Sequence, residues 1–495
     1  KWYTFWEENQ FFHADPSSEK PAYTIVIPPP NITGILHLGH VLNNTVQDVL
    51  VRFKRMQGFE TLWMPGTDHA GIATQVVVER MLSEKDIKRE EIGREKFEEH
   101  VWRWKDQYGG TIVRQLKELG CSCDWKRERF TMDEGYSEAV LTAFVKLYEK
   151  GLIYKGYRLV NWCPVSKSAI SDEEVIHKEK NGHLWHFRYP ITGSQEYLIV
   201  ATTRPETMLG DTGVAVHPKD KRYKKFVGKH VLLPIVNKEI PIFADDYVDE
   251  NFGTGCVKVT PAHDPNDFEM GQRHGLEIIN IMNDDATCNE NVPEQFIGLD
   301  RFEARKKVLD ELDENKFLVK IEDYTHQVGH SERTDAVIEP RLSKQWFLKM
   351  EKFAPEALDA VNSGKINFHP ERWSKIYNHW LENIKDWCIS RQLWWGHRIP
   401  VWYKNDKIYC DVKPPEGEGW IQDNDVLDTW FSSWIWPIAT LGWPDKTEDL
   451  NKYYPTQDLV TGPDIIFFWV ARMIMAGLYL KDEIPFSNVY FTSII

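Results

Sequence analysis

Several features that mark specialised protein classes are scarce in this sequence. It has only seven cysteines among 495 residues, an odd number at irregular spacings, so we expect reduced thiols in the cytoplasm and no disulfide framework. No uninterrupted apolar run approaches the roughly eighteen residues of a membrane-spanning helix, so we expect no transmembrane segment. The sequence opens on Lys1 without an initiating methionine and shows no signal peptide, so we expect it to begin within a longer protein.

Positive charge is also in short supply. The 60 Lys and Arg residues are outnumbered by 75 Asp and Glu residues, which gives a formal net charge of -15. This balance argues against indiscriminate binding of nucleic acid, but a local basic patch could still contact an RNA partner. Residues 219–225 are one candidate patch, although a solvated surface run explains this stretch equally well.

Material for packed cores is present in plenty. Hydrophobic residues make up 42% of the chain and aromatic residues 13%. A chain of 495 residues exceeds what one hydrophobic core normally supports, so we expect two to four domains.

The N-terminal part has the pattern of a β-α-β unit. Residues 23–27 are apolar and β-branched, which predicts a strand, and residues 61–64 predict a second strand. Residues 37–57 predict the helix between them, because apolar side chains recur there at helical spacing: Val41, Leu42, Val46, Val49, Leu50 and Phe53.

A second β-α-β pattern closes the chain, with an extended segment at 458–461, an apolar helix at 464–480 and a strand at 488–494. Between the two patterns, residues 173–327 contain short β-rich runs separated by Gly and Pro turns. These runs are predicted as strands at 197–202, 231–236 and 255–260. The arrangement predicts one parallel sheet interrupted by a β-rich insertion, with ligands at the carboxyl ends of the parallel strands.

The segment 28–40, PPPNITGILHLGH, joins the first strand to the helix. His37 and His40 lie three apart on the first turn, where free backbone N–H groups and the helix dipole favour phosphate. Two imidazole donors there suit the negative charge that develops on a phosphoryl group during reaction. Gly39 removes a side chain and would let a flat ring approach the backbone. Taken alone, the pair could also be a surface accident or half of a metal site.

The segment 28–40 resembles the signature of class I aminoacyl-tRNA synthetases, and specifically the version found in valyl-tRNA synthetases. Segments 65–75, 386–397, 427–433 and 462–472 fit the same family in the same order. The resemblance implies an α/β fold, a split Rossmann-like parallel sheet with a β-rich editing domain inserted. It divides the chain into a catalytic domain at 1–155 and 381–495, stalk segments at 156–172 and 328–380, and an editing domain at 173–327.

The resemblance implies a valine–tRNA ligase that uses ATP with Mg²⁺ to form valyl-adenylate and then transfers valine to tRNA(Val). It implies a monomer without a membrane partner. An isoleucyl or leucyl enzyme is the nearest alternative. A metal-dependent hydrolase using His37, His40, Asp68 and His69 is a second alternative, and a protein that only binds or deacylates tRNA is a third.

The family's functional residues can be carried over to matching positions. Asp68 follows the strand at 61–64 and would bind the ammonium of valine, although it could instead cap the helix that follows. Trp430 and Trp469 would line the valine pocket, although tryptophans are more often plain core. The full expectation is catalytic His37 and His40; ATP contacts from Asn31, Gly39, His37, His40, Gly462 and Asp464; and valine contacts from Pro28, Pro29, Asp68, Trp430, Ile465 and Trp469.

A second site is implied in the insertion. A pocket for an isopropyl group cannot strongly reject threonine, in which a hydroxyl replaces a methyl, so a separate hydrolytic site would remove mischarged threonine. Asp267 would bind the threonyl ammonium there, and water would attack. Asp264 and Asp267 could also be ordinary turn residues beside Pro265. The matching positions are Thr202, Arg204, Phe252, Lys258, Thr260, Asp264 and Asp267.

The sequence departs from the family in two respects. Many relatives hold zinc on two Cys-x-x-Cys pairs, but the matching positions here are Cys163, Ser166, Ser331 and Thr334. Because structural zinc needs four N or S ligands, we expect no zinc. Family members also continue into a lysine-rich loop and an anticodon-binding domain, whereas this sequence stops at Ile495.

Overall fold

The computed structural model describes residues 1–493 and resolves the chain into two compact units. The outer unit comprises residues 1–155 together with residues from Trp346 onward, and the inserted unit comprises Gly156–Gln345. The chain leaves the outer unit within one long strand and returns within another, and these two strands are neighbours in one sheet. The division does not separate stalk segments from either unit, so the stalk boundaries stay a prediction.

The α-helices of the described chain are numbered in sequence order. They are α1 (Trp2–Glu8), α2 (Leu38–Met56), α3 (Gly71–Ser83), α4 (Arg89–Ile92), α5 (Arg94–Glu118), α6 (Glu134–Glu149), α7 (Pro265–His274), α8 (Arg301–Glu314), α9 (Ala354–Asn362), α10 (Trp373–Glu382), α11 (Thr429–Ser433), α12 (Trp436–Ala439), α13 (Glu448–Tyr453) and α14 (Ala471–Lys481).

The strands are numbered in the same way. They are β1 (Ala22–Val26), β2 (Glu60–Met64), β3 (Gly66–Thr67), β4 (Arg129–Phe130), β5 (Ile153–Cys163), β6 (Ser168–Ile170), β7 (Val175–Pro190), β8 (Tyr197–Thr202), β9 (Gly213–Val216), β10 (His230–Leu233), β11 (Lys238–Ala244), β12 (Cys256–Val259), β13 (Leu318–Ser331), β14 (Glu339–Leu348), β15 (Asn367–His369), β16 (Trp387–Cys388), β17 (Ser390–Arg391), β18 (Val401–Lys404), β19 (Lys407–Cys410), β20 (Ile421–Gln422), β21 (Val426–Leu427), β22 (Thr456–Thr461) and β23 (Phe486–Phe491).

Both predicted β-α-β units are present in the outer unit. Strands β1 and β2 pair in parallel, with α2 between them in sequence, and β22 and β23 pair in parallel, with β15 on the other side of β23. The predicted end of the last strand at Ile494 lies outside the described residues. Parallel pairs joined by helices are the expected outcome of strand–helix–strand patterns.

The sheet is less continuous than predicted. Hydrogen bonding joins β1 only to β2 and groups β22 with β23 and β15 in a separate sheet. Side chains connect β1 to β22 instead: the Tyr23 hydroxyl donates to Asp458 Oδ2 at 2.5 Å, and the Thr24 backbone N–H donates to Gln457 Oε1 at 2.5 Å. The Gln457 side chain thus accepts the Thr24 N–H that would otherwise bond to the backbone of a neighbouring strand. The expected single sheet is therefore divided into two sheets that side chains connect.

Helix α2 exists as predicted but presents the opposite face to the protein. Its buried residues are Asn44, Gln47 and Val51, whereas Val49 is 61% exposed and Phe53 is 51% exposed. Gln47 Oε1 accepts a hydrogen bond of 2.9 Å from Trp63 Nε1 on β2, which satisfies a polar side chain in the interior. The apolar period thus predicted the helix correctly, but it does not mark the face that the helix buries.

The predicted helix at 464–480 is not one regular α-helix. A 3₁₀ turn at Pro463–Ile465 and a π-helical turn at Ile466–Val470 precede α14. The whole stretch Pro463–Lys481 has the length and a mean hydropathy of 1.4 that would suit a membrane span, which the sequence reading did not expect. Its window is 56% buried within the protein, as for a helix of a soluble core, so this measure alone is weak evidence for a membrane.

The inserted unit has its own hydrophobic core. Strands β10, β11, β9 and β12 form one sheet, and β13, β7 and β8 form another. The predicted strand at 197–202 matches β8, and those at 231–236 and 255–260 match β10 and β12 within a few residues. Helices α7 and α8 were not predicted; α8 contributes three fully buried residues to this core, Ala304, Val308 and Leu312.

Candidate functional site

His37 and His40 cap the N-terminus of α2 reciprocally. His37 Nδ1 accepts a hydrogen bond of 3.1 Å from the Gly39 backbone N–H, and His40 Nδ1 accepts one of 3.2 Å from the His37 backbone N–H. The two ring centroids lie 3.9 Å apart. The two histidine side chains therefore make the same reciprocal hydrogen bonds to the backbone that serine and glutamate make in an ordinary capping box.

This cap fixes which nitrogen carries the proton in each ring. Because both Nδ1 atoms accept hydrogen bonds, the neutral rings must carry their protons on Nε2. Burial and, to a lesser extent, the neighbouring His37 lower the pKa of His40 to about 4, so His40 is neutral at pH 7. Its Nε2–H is then a neutral donor at a helix N-terminus, where an anion is favoured.

Gly39 has a more specific role than the sequence suggested. A Cβ at this position would lie 2.9 Å from His37 Cε1 and 3.1 Å from His37 Nδ1, closer than side chains tolerate. The missing side chain thus makes room for the ring of His37. The proposed approach of a flat ligand ring to Gly39 remains a prediction.

The segment after β1 runs beside the segment after β2. The Asp68 backbone N–H donates to the Pro30 carbonyl at 2.9 Å, and the Ile32 N–H donates to the Asp68 carbonyl at 3.2 Å. Asn31 and Asp68 are paired as a parallel bridge. The fold therefore brings Asn31 next to Asp68 at the carboxyl ends of two parallel strands, where an α/β sheet binds its ligands. Pro28 and Pro29 precede Asn31 in the same segment.

Asp68 is a buried carboxyl group with few partners. Its side chain is 5% exposed and lies 3.6 Å from His69 Nδ1. Burial, and to a lesser degree the charge of Asp428, raise the pKa of Asp68 to about 7, although a hydrogen bond from the Ala70 backbone opposes this shift. A buried carboxylate without a cation is costly, so the site is suited to a cationic group from outside.

The capping alternative for Asp68 holds in part. Asp68 Oδ1 accepts a hydrogen bond of 2.6 Å from the Ala70 N–H. Ala70, in a left-handed conformation with φ of 49°, is the N-cap residue of α3 and has no side-chain cap. Asp68 thus stabilises the turn before α3 through one oxygen, and this contact does not exclude a ligand at the other oxygen.

Helix α11 connects the Asp68 region to the residues before α14. A Cβ on Gly71 would lie 2.7 Å from Thr429 Oγ1, so the start of α11 packs closely against the start of α3. Trp430 is half-buried and stacks on Phe468 with centroids 5.0 Å apart. Trp469 is 1% exposed, and its Nε1 donates to the Ser433 carbonyl at 2.9 Å. Trp469 is therefore anchored in the core, whereas Trp430 retains an accessible face.

The residues expected near the nucleotide lie at the start of the same stretch. Gly462 is the N-cap of the 3₁₀ turn Pro463–Ile465, and a Cβ on Gly462 would collide with Asp464 Oδ1. Asp464 is exposed and Ile465 is half-buried. The predicted i,i+4 relation of Ile465 and Trp469 falls on 3₁₀ and π-helical geometry, so these side chains do not share the face of a regular α-helix as the sequence suggested.

In the inserted unit, Arg204 connects the two segments that carry most of the expected editing residues and also contacts β14. Its backbone N–H donates to Thr202 Oγ1 at 3.0 Å, and its guanidinium donates to the His263 carbonyl at 2.8 Å and to Glu339 Oε2. Glu206 is also paired with it, at 3.5 Å. Arg204 is thus held by carboxylates of its own unit, which sequence reasoning did not reveal.

Lys258, Thr260 and Asp267 are brought together around β12. Lys258 Nζ donates to Thr260 Oγ1 at 2.6 Å, and the Thr260 backbone N–H donates to Asp267 Oδ2 at 2.8 Å. Burial, and next the nearby Asp264, raise the pKa of Asp267 to about 7, against the opposing charge of Lys258. A half-protonated carboxyl group in a polar pocket is a candidate for binding or proton transfer.

Two of the expected residues have different surroundings. Asp264 is the N-cap of α7, and its Oδ1 accepts hydrogen bonds from the Asn266 and Asp267 backbone N–H groups at 2.9 and 3.2 Å. The turn-forming alternative therefore describes Asp264 well. Phe252 is 57% exposed and meets Tyr324 edge-to-face with centroids 6.4 Å apart, so a loop carries it outside the buried cluster.

Asp211 and Tyr189 were not predicted as site residues, yet both belong to the cluster around Lys258. Asp211 Oδ1 lies 2.9 Å from Lys258 Nζ, and Asp211 Oδ2 accepts a hydrogen bond of 2.7 Å from the Tyr189 hydroxyl. Asp211 also lines a cavity of about 290 Å³, together with Lys238, Glu277 and other residues. These contacts join residues 47 and 22 positions apart and leave no local sequence pattern from which they could be found.

The four positions that match the zinc pairs of relatives converge in the inserted unit. Cys163 Sγ lies 3.2 Å from Thr334 Oγ1 and accepts a hydrogen bond from the Ser166 N–H, and the Thr334 N–H contacts Ser331 Oγ at 3.4 Å. One thiol and three hydroxyl groups do not make the N and S ligand set that structural zinc requires. Among residues 1–493, no group of three or more His, Cys, Asp or Glu side chains is arranged to hold a metal ion.

Comparison with known sequences adds a family to this geometry. The chain matches the family model described as tRNA synthetases class I (I, L, M and V) over residues 1–418 and 411–495. It is 59% identical to the valine–tRNA ligase of Carboxydothermus hydrogenoformans over 99% of this chain and 56% of that protein. It is 58% identical to the valine–tRNA ligase of Thermotoga maritima over 100% of this chain and 58% of that protein. The chain thus spans little more than half the length of these relatives.

A solved structure gives the same fold. The LeuRS of Agrobacterium radiobacter K84, crystallised as a ternary complex with tRNA and LeuAMS, aligns with a TM-score of 0.52 and 18% identity over 100% of this chain and 67% of that chain. At this level of identity the likeness concerns the fold alone.

Proposed function

Because the chain belongs to the class I tRNA synthetases of the I, L, M and V group, we propose that it is the part of a valine–tRNA ligase that activates valine with ATP and transfers it to tRNA(Val). The observation that carries this proposal is the buried Asp68, whose pKa is raised to about 7, at the carboxyl ends of parallel strands. The identity of 56–59% to valine–tRNA ligases supports the choice of amino acid.

In the proposed site, Asp68 binds the ammonium group of valine. Burial leaves its carboxyl partly protonated near pH 7, and an ammonium group would favour the charged form through a charge-assisted hydrogen bond. Pro28, Pro29, Trp430, Ile465 and Trp469 would surround the isopropyl group. Their rigid rings would limit the pocket to a small apolar side chain.

His37 and His40 act on the α-phosphate of ATP in this proposal. Their Nε2–H groups would stabilise the negative charge that builds on the phosphoryl oxygens as the valine carboxylate attacks and pyrophosphate leaves. Asn31, Gly39, Gly462 and Asp464 would contact the nucleotide. Mg²⁺ would arrive bound to the phosphates of ATP as part of the substrate and compensate their charge.

The experiment is amino-acid-dependent exchange of pyrophosphate into ATP, measured on the full-length protein. Valine should support exchange best and threonine more weakly. Replacing His40 by Ala should slow exchange by about a hundredfold or more, as expected for a lost transition-state donor. Isoleucine or leucine as the best substrate would instead assign an isoleucyl- or leucyl-type enzyme. Metal-dependent hydrolysis without exchange would favour the hydrolase alternative.

A second activity is proposed for the inserted unit, the hydrolysis of threonyl-tRNA(Val). The buried Asp267, with a pKa raised to about 7 beside Lys258 and Thr260, supports it. Asp267 would bind the threonyl ammonium while water attacks the ester. Removing this charge-assisted contact in Asp267→Ala should lower hydrolysis at least about tenfold, whereas valine-dependent exchange should stay within about twofold. The opposite pattern would reverse the assignment of the two units.

The oligomeric state and location are part of the same proposal. We expect a monomer, and we expect it in the cytoplasm, where its seven cysteines would stay reduced. Light scattering of the full-length protein tests the first expectation, and fractionation of cells tests the second.

A further inference from the structure

Lys258 is a buried ammonium group whose donors are all used within the inserted unit. Its Nζ lies 2.9 Å from Thr207 Oγ1, 2.9 Å from Asp211 Oδ1 and 2.6 Å from Thr260 Oγ1. An ammonium group has three N–H donors, so these oxygens account for every one of them. The side chain is 7% exposed, and its position is therefore set by protein atoms from three directions.

Asp211 is the counter-charge of this lysine and is itself fully enclosed. Its side chain is 0% exposed. Besides Lys258, Oδ1 accepts a hydrogen bond of 2.6 Å from the Thr260 hydroxyl, and Oδ2 accepts one of 2.7 Å from the Tyr189 hydroxyl. Both carboxylate oxygens are thus occupied. A buried ion pair is maintained only when such additional hydrogen bonds complete it.

The pair connects to the two halves of the proposed hydrolytic site. The Thr207 hydroxyl donates to the Arg204 carbonyl at 3.0 Å, and the Thr260 backbone N–H donates to Asp267 at 2.8 Å. Each threonine therefore receives a hydrogen bond from Lys258 and contacts a residue expected in the pocket. A shift of the ammonium would be transmitted to both sides.

We propose that Asp211 and Tyr189 are positioning residues of the hydrolytic site, which hold Lys258 as a fixed, charged ammonium and through it fix Thr207 and Thr260. This inference rests on the proposed hydrolysis of threonyl-tRNA and adds two residues to it. Tyr189 acts on the carboxylate oxygen that Lys258 does not use. Neither residue needs to touch the substrate.

Other charged groups around Lys258 must be considered in any test that varies pH. Arg204 and Lys258 add to the effect of burial, which holds the pKa of His263 well below its usual range. Asp267 lies close enough for Lys258 to oppose the rise in its pKa, and it titrates near pH 7. Each variant must therefore be compared with the wild type at the same pH.

The experiment measures hydrolysis of threonyl-tRNA(Val) by the 495-residue chain at pH 6 and pH 8.5. In Asp211→Asn the buried ammonium has no counter-charge and gives up its proton more readily. Hydrolysis relative to wild type should fall less than about threefold at pH 6 and at least about tenfold at pH 8.5. Tyr189→Phe should change in the same direction by a smaller factor. An equal loss at both pH values, or none, would overturn the proposal.

A second measurement does not depend on activity. Acetylation of Lys258 by a brief pulse of acetic anhydride, quantified by mass spectrometry against pH, should begin at a lower pH in Asp211→Asn than in the wild type, because only the neutral amine reacts. Unchanged labelling would overturn the inference even if hydrolysis fell. Absent hydrolysis by the wild type would instead refute the proposed function and leave the labelling test intact.

Asp220→Asn is the matched control. Asp220 is another buried aspartate of the inserted unit, and it pairs with Arg222 at 2.7 Å. Its replacement removes a carboxylate charge of the same kind without touching Lys258. Hydrolysis and Lys258 labelling should match the wild type at both pH values. If Asp211→Asn fails to fold, Tyr189→Phe decides through the same two measurements.

Discussion

Asp68 offers a prediction in which stability and function oppose each other. Its pKa rises from 3.8 to about 7 in the folded chain, so the folded state binds this proton more tightly than the unfolded state does. Well below pH 3.8 the carboxyl is protonated in both the folded and the unfolded chain, so its ionisation does not change the stability there. As the pH rises toward 7, the unfolded chain ionises first, and stability is lost until the folded carboxyl also ionises.

The magnitude follows from the two pKa values. Their full separation corresponds to roughly 4 kcal/mol, and the part lost between pH 5 and pH 8 is roughly 2–3 kcal/mol. Asp68→Asn cannot ionise and escapes this loss, although its amide can still accept the Ala70 hydrogen bond. Costs of burying the new NH₂ group are the same at both pH values. Between pH 5 and pH 8, the free energy of unfolding of the variant minus that of the wild type should therefore rise by roughly 2–3 kcal/mol.

The assay is native-state hydrogen exchange of the slowest amides in β1 and β2, corrected for intrinsic rates at pH 5 and pH 8. Asp423→Asn in the same unit is the control, because hydrogen bonds from Lys155 and Trp346 overcome burial and lower the pKa of Asp423, so its carboxyl is ionised in both the folded and the unfolded chain from pH 5 to pH 8. The difference in the free energy of unfolding between that variant and the wild type should therefore be the same at pH 5 and pH 8. A stability difference for Asp68→Asn that does not change with pH would refute the reasoning, as would retention of valine-dependent exchange by this variant.

Two glycines in tight surroundings and the zinc-lacking cluster around Cys163 can be tested by substitution. In Gly39→Ala the new Cβ would lie only 2.9 Å from His37 Cε1, so the His37 ring should move and ATP–pyrophosphate exchange should fall at least about tenfold. Gly34→Ala is the control and should match the wild type, because a Cβ there meets open space. Gly66→Ala would place Cβ 2.5 Å from the Arg129 carbonyl and Trp436, so urea unfolding should show a loss of about 1–3 kcal/mol; an unchanged midpoint would contradict this packing. Elemental analysis should find well under one equivalent of zinc in the natural chain. The triple variant Ser166→Cys/Ser331→Cys/Thr334→Cys should hold about one equivalent, because its three new thiols, with that of Cys163, would complete a zinc site. Stoichiometric zinc in the natural chain would refute the first expectation.

The parts of the fold that were predictable are those written in local patterns. Strands β1, β2, β8 and β22 begin and end within a few residues of their predicted positions, because apolar and β-branched runs bounded by Gly and Pro determine them. The motif 28–40 likewise predicted a helix that begins with His37 and His40 on its first turn. The phosphate chemistry inferred for this segment stays a prediction, which rests on the coincidence of residue type and helix start in one short segment.

What could not be predicted depends on partners distant in sequence. The inward face of α2 includes Gln47, whose side chain accepts a hydrogen bond from Trp63 on β2, whereas Val49 and Phe53 are exposed. The Lys258–Asp211 pair joins residues on different elements and has no spacing signal. The π-helical turn at Ile466–Val470 is also absent from the apolar pattern, which reads the same in an α-helix.

The path of the chain between the two units bears on how the protein folds. It departs within β5 and returns within β14, which are adjacent strands, so the two ends of the insertion are only about 5 Å apart across the sheet. While the insertion is unfolded, bringing those ends together closes a loop of roughly 190 residues, at an entropic cost of about 4–5 kcal/mol. Once the insertion has folded, its two ends are already held close together, and the outer unit no longer has to close a long flexible loop. Folding of the insertion first would therefore lower the entropic cost of pairing the two separated halves of the outer unit.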